Sequence, residues 1–447
     1  MMKRKKLPTI SVVGLGKLGT PFLVTVASRG YQVIGVDLNP NTIQNLNDGK
    51  SNSVESKLAL LLKQYHARIR ATASFAEAIL NSELTFIIVP TPSTSNGSFS
   101  PKHVAAALKN IGQVLRQKSQ PHVIAIVSTL SPGSLAQVLA PILEKSSGKK
   151  IGKNFGLCYN PSFIALGNVI NNLLKPDFVL IGESDQKSGD ILEKFYRRVC
   201  LNQPPIKRMQ PINAEITKIA LNTFITTKIS FANMLAQLCE RVPGADSLEV
   251  TQALGLDSRI GSKYLLGSVP YGGPCFPRDN RALRAFGKKN RMTLGLPRET
   301  DVINQSQIAA IARLVEISTP PKNKIGVIGL AYKPETDVVD ESVGINLANY
   351  LAHKKCAVSV YDPLALENAR RILDPRIAYA TSLTALVNSC KTLIVTTAWL
   401  MIKYELPKLL TKNNRRSIII IDCWRIFDHA DLPNHVTYIG RGQYIRA

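Results

Sequence analysis

The residues best equipped for chemistry form one run, Tyr271-Gly272-Gly273-Pro274-Cys275-Phe276-Pro277-Arg278-Asp279. It sets a thiol after two glycines and a proline, with a cation and a carboxylate three and four residues later. Glycine lets the chain turn where a Cβ would clash, and Pro277 suits the first turn of a helix. Cys275 is therefore expected at the positive end of a helix dipole with Arg278 close by, a setting that favours thiolate over a thiol of pKa ~8.5. Two readings of these nine residues stay open. One is an activated nucleophile; the other is a buried structural cysteine in a Gly/Pro loop.

A second run carries a different chemistry. Thr9–Val13 reads as a strand entering Gly14-Leu15-Gly16-Lys17-Leu18-Gly19, a helix pattern continues to about Ser28, and Tyr31–Val36 reads as a strand ending in Asp37. Strand, glycine turn, helix, strand and an acid about 20 residues on is the order of a dinucleotide fingerprint. Gly14 makes the turn, Gly16 lets a pyrophosphate approach, and Gly19 lets helix and strand pack closely. The N–H groups at the start of the helix suit phosphate. Asp37 would bond ribose hydroxyls and repel a 2′-phosphate, so the expected cofactor is NAD rather than NADP. Further strands run into Pro90-Thr91-Pro92 and Ser128-Thr129. Strand ends in a doubly wound sheet face the ligand crevice, which places Thr91 and Thr129 where a cofactor or substrate would sit.

These residues need elements to hold them. The pattern over 214–240 predicts one long helix, with Lys218 and Asn222 four apart and so on one face. Arg241-Val242-Pro243-Gly244 ends it, and Pro320-Pro321 marks a linker. Beyond lies a second series of strands: Lys324–Leu330, Val358–Tyr361 ending in Asp362, Lys391–Thr396 and Ser417–Asp422. A second nucleotide-like ligand is the expectation there. The expected fold class is α/β, two Rossmann-like parallel-sheet domains joined by a long central helix and a helical region. The boundaries fall at 1–210 for NAD binding, 211–318 for the helical region with the cysteine loop, and 319–447 for the second α/β domain. The apolar stripe of so long a helix predicts a homodimer.

Composition narrows the class. With 447 residues, 45% hydrophobic and 19% charged, the chain is expected to hold two or three sizeable cores. Seven scattered cysteines without a CxxC pair fit a reducing cytosol rather than a disulfide framework or zinc site. The histidines form no metal-binding pattern, so no metal is expected. The basic start, Met1–Pro8, lacks the apolar core of a signal peptide, and no apolar run is long enough for a membrane span. A cytoplasmic protein is the expectation. The net charge of +25 brings nucleic acid to mind. The cations are spread out, aromatics make up only 6%, and no nucleic-acid motif is present. A surface that draws in anionic small molecules is the preferred reading.

In order along the chain, these features resemble the UDP-glucose/GDP-mannose dehydrogenase family of nucleotide-sugar dehydrogenases. The resemblance spans about residues 9–430. It is carried by the glycine motif at 14–19, Val89-Pro90-Thr91-Pro92, Ser128-Thr129, Asn160-Pro161 with Phe163, and Glu215 with Lys218 and Asn222. Arg259-Ile260-Gly261, the cysteine run, Lys333-Pro334 with Thr336-Asp337, and Tyr361-Asp362-Pro363 complete the set. The resemblance implies oxidation of the C6 alcohol of a nucleotide sugar, by default a UDP-sugar, to a carboxylate with two NAD per turnover. It implies that Cys275 carries a thiohemiacetal and then a thioester, that Lys218 and Asn222 stabilise an oxyanion, and that Asp279 and Thr129 position or activate water. It implies cofactor contacts from Gly14, Gly16, Lys17, Leu18, Gly19, Asp37, Pro90, Thr91 and Thr129. Substrate contacts are implied for Phe163, Lys218, Asn222, Arg259, Tyr264, Gly272 and Lys333.

The chain departs from the family pattern in places. Where the family usually has Asn-Pro-Glu-Phe, this chain has Asn160-Pro161-Ser162-Phe163, and serine cannot act as a carboxylate base. That predicts either slow hydrolysis with Asp279 compensating or a homologue with weakened or lost full oxidation, the alternative reading of the chain being a weakly active or non-catalytic nucleotide-sugar-binding protein. Asp340 stands where an arginine is often found, and the inverted charge would weaken a phosphate or cofactor contact or indicate a different neighbour.

Overall fold

The structure is a computed structural model that describes residues 7–51, 53, 55–413 and 417–445. The basic residues 1–6 lie outside the described residues. The chain divides into two compact units, Met1–Ala220 with Ala285–Arg291, and Leu221–Arg284 with Met292–Ala447.

The first unit is built on eight strands: β1 (Ile10–Val13), β2 (Val33–Val36), β3 (Ile69–Thr72), β4 (Leu84–Ile87), β5 (Val123–Ile126), β6 (Gly156–Tyr159), β7 (Val179–Glu183) and β8 (Ile206–Met209). Their order is β3-β2-β1-β4-β5-β6-β7-β8. Ile10 of β1 sits opposite Val33 on one side and Leu84 on the other. The first six strands are parallel, as the alternation of strand and helix predicts. β7 pairs antiparallel with β6 through Cys158 and Glu183, and β8 runs parallel to β7. An antiparallel neighbour is reached without returning the chain to its starting edge, and the β6–β7 connection carries only the short helix Val169–Leu174.

Both faces of this sheet are covered, so its strands read as almost continuous apolar runs. Ile10, Val12 and Phe86 face Phe22 and Phe195, with ring centroids 4.7 Å apart for Phe22–Phe86 and 4.8 Å for Phe86–Phe195. Val13, Ile87, Ile124 and Ile126 face the other way, toward Leu108 and Ile111. One polar chain crosses this interior. Lys118 Nζ donates to the carbonyls of Ile79 and Ser82 and lies 3.0 Å from His122 Nδ1. His122 Nε2 meets Thr85 Oγ1 at 2.7 Å, and Thr85 Oγ1 meets Ser11 Oγ at 2.6 Å. All of these side chains are buried. They are paired with one another, as burial requires.

Other cations of this unit also serve carbonyl oxygens. Arg116 donates to Ser146, Lys149 to Leu115 and Lys118, Arg68 to Ala27, and Arg29 to Arg198. Several of these acceptors end helices, where positive charge complements the dipole. Part of the +25 charge is thus accounted for by the architecture.

In the second unit, six strands form a wholly parallel sheet in the order β11-β10-β9-β12-β13-β14. They are β9 (Ile325–Ile328), β10 (Val358–Tyr361), β11 (Ala378–Tyr379), β12 (Thr392–Val395), β13 (Ile418–Asp422) and β14 (Val436–Gly440). The long central helix spans Pro211–Cys239, starting three residues before the predicted 214 because Pro211 suits its first turn. Its residues up to Ala220 belong to the first unit and those from Leu221 to the second. The segment after β14 is tied to the end of that helix. Arg441, fully buried, pairs with Glu240 at 3.1 Å and donates to Gln307 at 2.9 Å. Ile445 N donates to the Glu240 carbonyl. No helix among the described residues is long and apolar enough to cross a membrane.

Candidate functional site

The glycine motif folds as a cradle. A Cβ on Gly19 would come within 1.8 Å of the Gly14 carbonyl oxygen, so the helix Gly19–Ser28 starts against the end of β1. A Cβ on Gly16 would meet nothing within 4 Å, leaving open space where a pyrophosphate would approach. Leu18, at the N-cap, gives the first turn no side-chain cap; Thr20 N donates to the Gly16 carbonyl and Pro21 has no N–H, so an anion here would be met by the N–H groups that precede Thr20. Asp37 Oδ2 accepts from Leu15 N at 2.7 Å and Oδ1 from Asn39 N at 2.9 Å. A carboxylate has about four lone-pair sites, so capacity for ribose hydroxyls remains. Lys17 and Pro90 are exposed, Thr91 is buried and Thr129 half-buried at the strand ends. These residues fit NAD.

The second unit repeats the turn and closes it. Asp362 at the end of β10 is 3% exposed. It accepts from the N–H groups of Leu330, Ala331, Leu364 and Ala365 and from Trp399 Nε1. Its lone pairs are used internally, so this acid is not the ribose-binding counterpart of Asp37. A nucleotide on this domain would have to use other groups.

The central helix carries two sets of polar residues. In the first unit, buried Glu215 accepts from Gly133 N at 2.6 Å and Leu135 N at 2.9 Å. Burial pushes its carboxyl up, and those two hydrogen bonds oppose the shift. Lys218 Nζ donates to the Ser162 carbonyl at 2.9 Å and stands 4.9 Å over the Phe163 ring. Lys218 and Phe163 thus come together on the loop where serine replaces the expected glutamate.

In the second unit, Cys275 immediately precedes the helix Phe276–Lys289, and its carbonyl accepts from Asp279 N at 2.9 Å. Pro277 lies in the first turn. Cys275 is exposed, Cys356 is half-buried, and the other five cysteines are buried. The structural reading of Cys275 required burial, so exposure removes its basis. Asp279, one turn on, is 3% exposed and accepts from Asn222 Nδ2 at 2.6 Å. The preceding loop is clamped by asparagines: Asn233 pairs with Ser268 N and the Val269 carbonyl, and Asn304 with both main-chain groups of Tyr271. Tyr271 Oη donates to Asp301 at 2.6 Å, and buried Asn280 donates to both. Sequence reasoning did not single out Asn233, Asn280, Asp301 or Asn304. An asparagine on a helix gives no signal of its own, because its partners lie anywhere from 9 to 54 residues away.

The other expected substrate contacts, Arg259, Tyr264, Gly272 and Lys333, all belong to the second unit. Arg259 makes a bidentate pair with Asp257 at 2.6–3.2 Å, and its side chain is 87% exposed. Tyr264 is exposed with φ +65°. Lys333 Nζ lies 6.0 Å from the Tyr332 ring. Among the described residues, no group of three or more His, Cys, Asp or Glu could hold a metal ion.

Comparison with known proteins follows the same order along the chain. Residues 8–200 match the NAD binding domain of the UDP-glucose/GDP-mannose dehydrogenase family, 212–306 its central domain, and 326–429 its UDP binding domain. A UDP-glucose 6-dehydrogenase of Haloferax volcanii is 34% identical over 397 residues, covering 87% of this chain and 91% of its own. A GDP-mannose 6-dehydrogenase of Pseudomonas putida is 36% identical over 358 residues, covering 79% and 80%. The structure of a UDP-glucose dehydrogenase from Pyrobaculum islandicum matches with a TM-score of 0.87 at 30% identity, covering 99% of this chain and all of that one. The protein is an NAD-dependent oxidoreductase acting on nucleotide sugars, and the chain belongs to the UDP-glucose/GDP-mannose dehydrogenase family.

Proposed function

We propose that the protein oxidises the C6 primary alcohol of a nucleotide sugar, by default a UDP-sugar, to the carboxylate, with Cys275 as covalent carrier. The observation that carries this reading is an exposed thiol at the start of a helix whose first turn holds a buried carboxylate bonded to Asn222. The match of 326–429 to a UDP binding domain supports the choice of base.

NAD, when bound, takes up the hydride released in each of the two oxidations. Loss of a hydride and a proton turns the alcohol into an aldehyde. The Cys275 thiolate adds to the aldehyde carbon, a C–S bond forms, and the carbonyl oxygen becomes an oxyanion that Lys218 and Asn222 stabilise before it gains a proton. Loss of the second hydride and that hydroxyl proton gives a thioester. Water, oriented by Asp279 and Thr129, adds to it, the C–S bond breaks, and thiolate and carboxylate are released. Gly14, Gly16, Lys17, Leu18, Gly19, Asp37, Pro90 and Thr91 hold the cofactor. Phe163, Arg259, Tyr264, Gly272 and Lys333 contact the substrate.

In this reading residues 1–210 bind NAD, 211–318 carry the cysteine loop, and 319–447 bind the nucleotide. We also infer a cytoplasmic homodimer. Its support is the exposure of Phe224, Phe231, Met234 and Leu238 on the central helix. Light scattering that gives a monomer at micromolar concentration would remove the dimer.

Incubation with a panel of UDP- and GDP-sugars and NAD tests the activity. Two NADH per sugar and a carboxylate by mass spectrometry are expected, and Cys275→Ser is expected to stop short of the carboxylate. Folded protein that forms no NADH with any sugar would overturn the reading. Ser162 favours a second one, a homologue slow in thioester release. A large gain in turnover on Ser162→Glu would support it, and no gain would show that the carboxylate is dispensable here.

A further inference from the structure

We propose that Tyr332, on the loop following β9, is a positioning residue for Cys275, and that the loop 331–342 fixes the nucleophile's backbone. The proposal rests on the reading of Cys275 as nucleophile.

Two neighbouring glycines carry the contact. Gly273 has φ +79°, donates its N–H to the Asp340 carbonyl at 2.9 Å, and a Cβ there would come within 2.4 Å of the Tyr332 ring. A Cβ on Gly272 would come within 2.2 Å of the Glu341 carbonyl oxygen. The backbone two and three residues before the thiol is therefore seated on Tyr332, Asp340 and Glu341. On the next turns of the cysteine helix, Arg281 reaches Glu341 at 3.7 Å.

The supporting loop is itself constrained. Tyr332 N donates to the Val338 carbonyl at 3.0 Å, and Thr397 Oγ1 donates to the Ala331 carbonyl at 2.8 Å. Glu335 and Glu341 both have positive φ, +60° and +49°. Non-glycine residues keep such a conformation only where their surroundings over-determine it. Burial pushes the Tyr332 phenol up, and the negative charges of Cys275 and Asp340 push it further, so the ring keeps its proton. Asp340 serves this arrangement twice, its main-chain carbonyl holding the cysteine loop and its carboxylate charge acting on Tyr332.

The test compares Tyr332→Phe with Tyr332→Ala in the full-length protein. It follows kcat, KM for the nucleotide sugar, thermal melting, and the rate of Cys275 alkylation by iodoacetamide at fixed pH, mapped by mass spectrometry to separate it from Cys356. Tyr332→Ala is expected to lower kcat roughly tenfold or more, since small misplacements of a reacting group are costly. It is also expected to change the alkylation rate at least about threefold, with KM within about threefold. Tyr332→Phe, which keeps the ring, is expected to stay within about threefold of wild type in kcat. If Tyr332→Ala melts below assay temperature, Tyr332→Leu is read the same way. Unchanged kcat and alkylation in a stably folded Ala or Leu variant would overturn the proposal, as would a Phe variant as impaired as the Ala variant. A Cys275→Ser enzyme that still makes carboxylate would instead sink the nucleophile reading, and the alkylation rates would continue to report on positioning.

Discussion

Asn222 Nδ2 donates to Asp279 Oδ2 at 2.6 Å, joining the central helix to the first turn of the cysteine helix in a buried setting. Removing this donor from a buried carboxylate costs about 1–3 kcal/mol. Asn222→Ala is therefore expected to lower the unfolding free energy by that amount, read from urea denaturation, and to reduce turnover. Asp279→Asn is expected to retain most of the stability but to accumulate the Cys275 thioester, visible as a mass adduct on rapidly quenched protein. Absence of an adduct while NADH formation continues at the wild-type rate would remove Asp279 from the hydrolytic step.

Gly16 and Gly19 separate binding from folding. A Cβ at Gly19 runs into the Gly14 carbonyl, so Gly19→Ala is expected to destabilise by about 3 kcal/mol or occasionally more. A Cβ at Gly16 meets no protein atom within 4 Å. Gly16→Ala is expected to leave stability within about 0.5 kcal/mol, while weakening NAD roughly tenfold, about 1.4 kcal/mol. Calorimetric titration with NAD, next to a melting curve, checks both.

The buried pair Lys118 and His122 makes the first unit sensitive to acid. Burial first, and the Lys118 charge second, push His122 down to about 3. Its ordinary value is ~6.5, so the unfolded chain binds this proton first. The stabilisation is whole above about pH 6.5 and is lost as pH falls from there toward 3, at roughly 1.4 kcal/mol per pH unit. Burial likewise pushes Lys118 down to about 8, so stability rises further as pH increases above that value. Between pH 6.5 and 5 the His122 contribution falls by about 2 kcal/mol. His122→Gln is expected to flatten that part of the stability profile in urea unfolding. An unchanged slope would show that other groups govern it.

Arg441 is fully buried against Glu240 and Gln307. Breaking a buried pair from one side leaves an uncompensated charge and costs about 3–5 kcal/mol. Arg441→Ala is expected to lower the urea midpoint accordingly. Glu240→Gln together with Arg441→Met is expected to recover part of the loss, because neither charge is then left behind.

The legible parts of the chain were those whose geometry is local. The glycine turn, its helix and Asp37 lie within about 30 residues, and strand, turn and helix each leave a pattern in the run that forms them. Pro277 marked the helix start after Cys275 for the same reason. The reversed β7 and β8 were not legible, because strand direction depends on where a connection ends rather than on its composition. Asp362 read like Asp37 in sequence, yet it is filled by five donors, one of them from Trp399, which is 37 residues away.

By itself, the sequence determined a nucleotide-binding α/β chain with an NAD-type turn, a long central helix and a thiol at a helix start. Periodicity, glycine placement and proline placement act through nearest neighbours. Tertiary structure decided which polar groups were used up internally and which remained available for ligands. It left capacity on Asp37, closed Asp362, buried Asp279 beside Asn222, and seated Gly272 and Gly273 on Tyr332 and Glu341 some 60 to 70 residues later. Hydrogen-bond capacity and close packing are settled by neighbours in space, and spacing along the chain does not encode them.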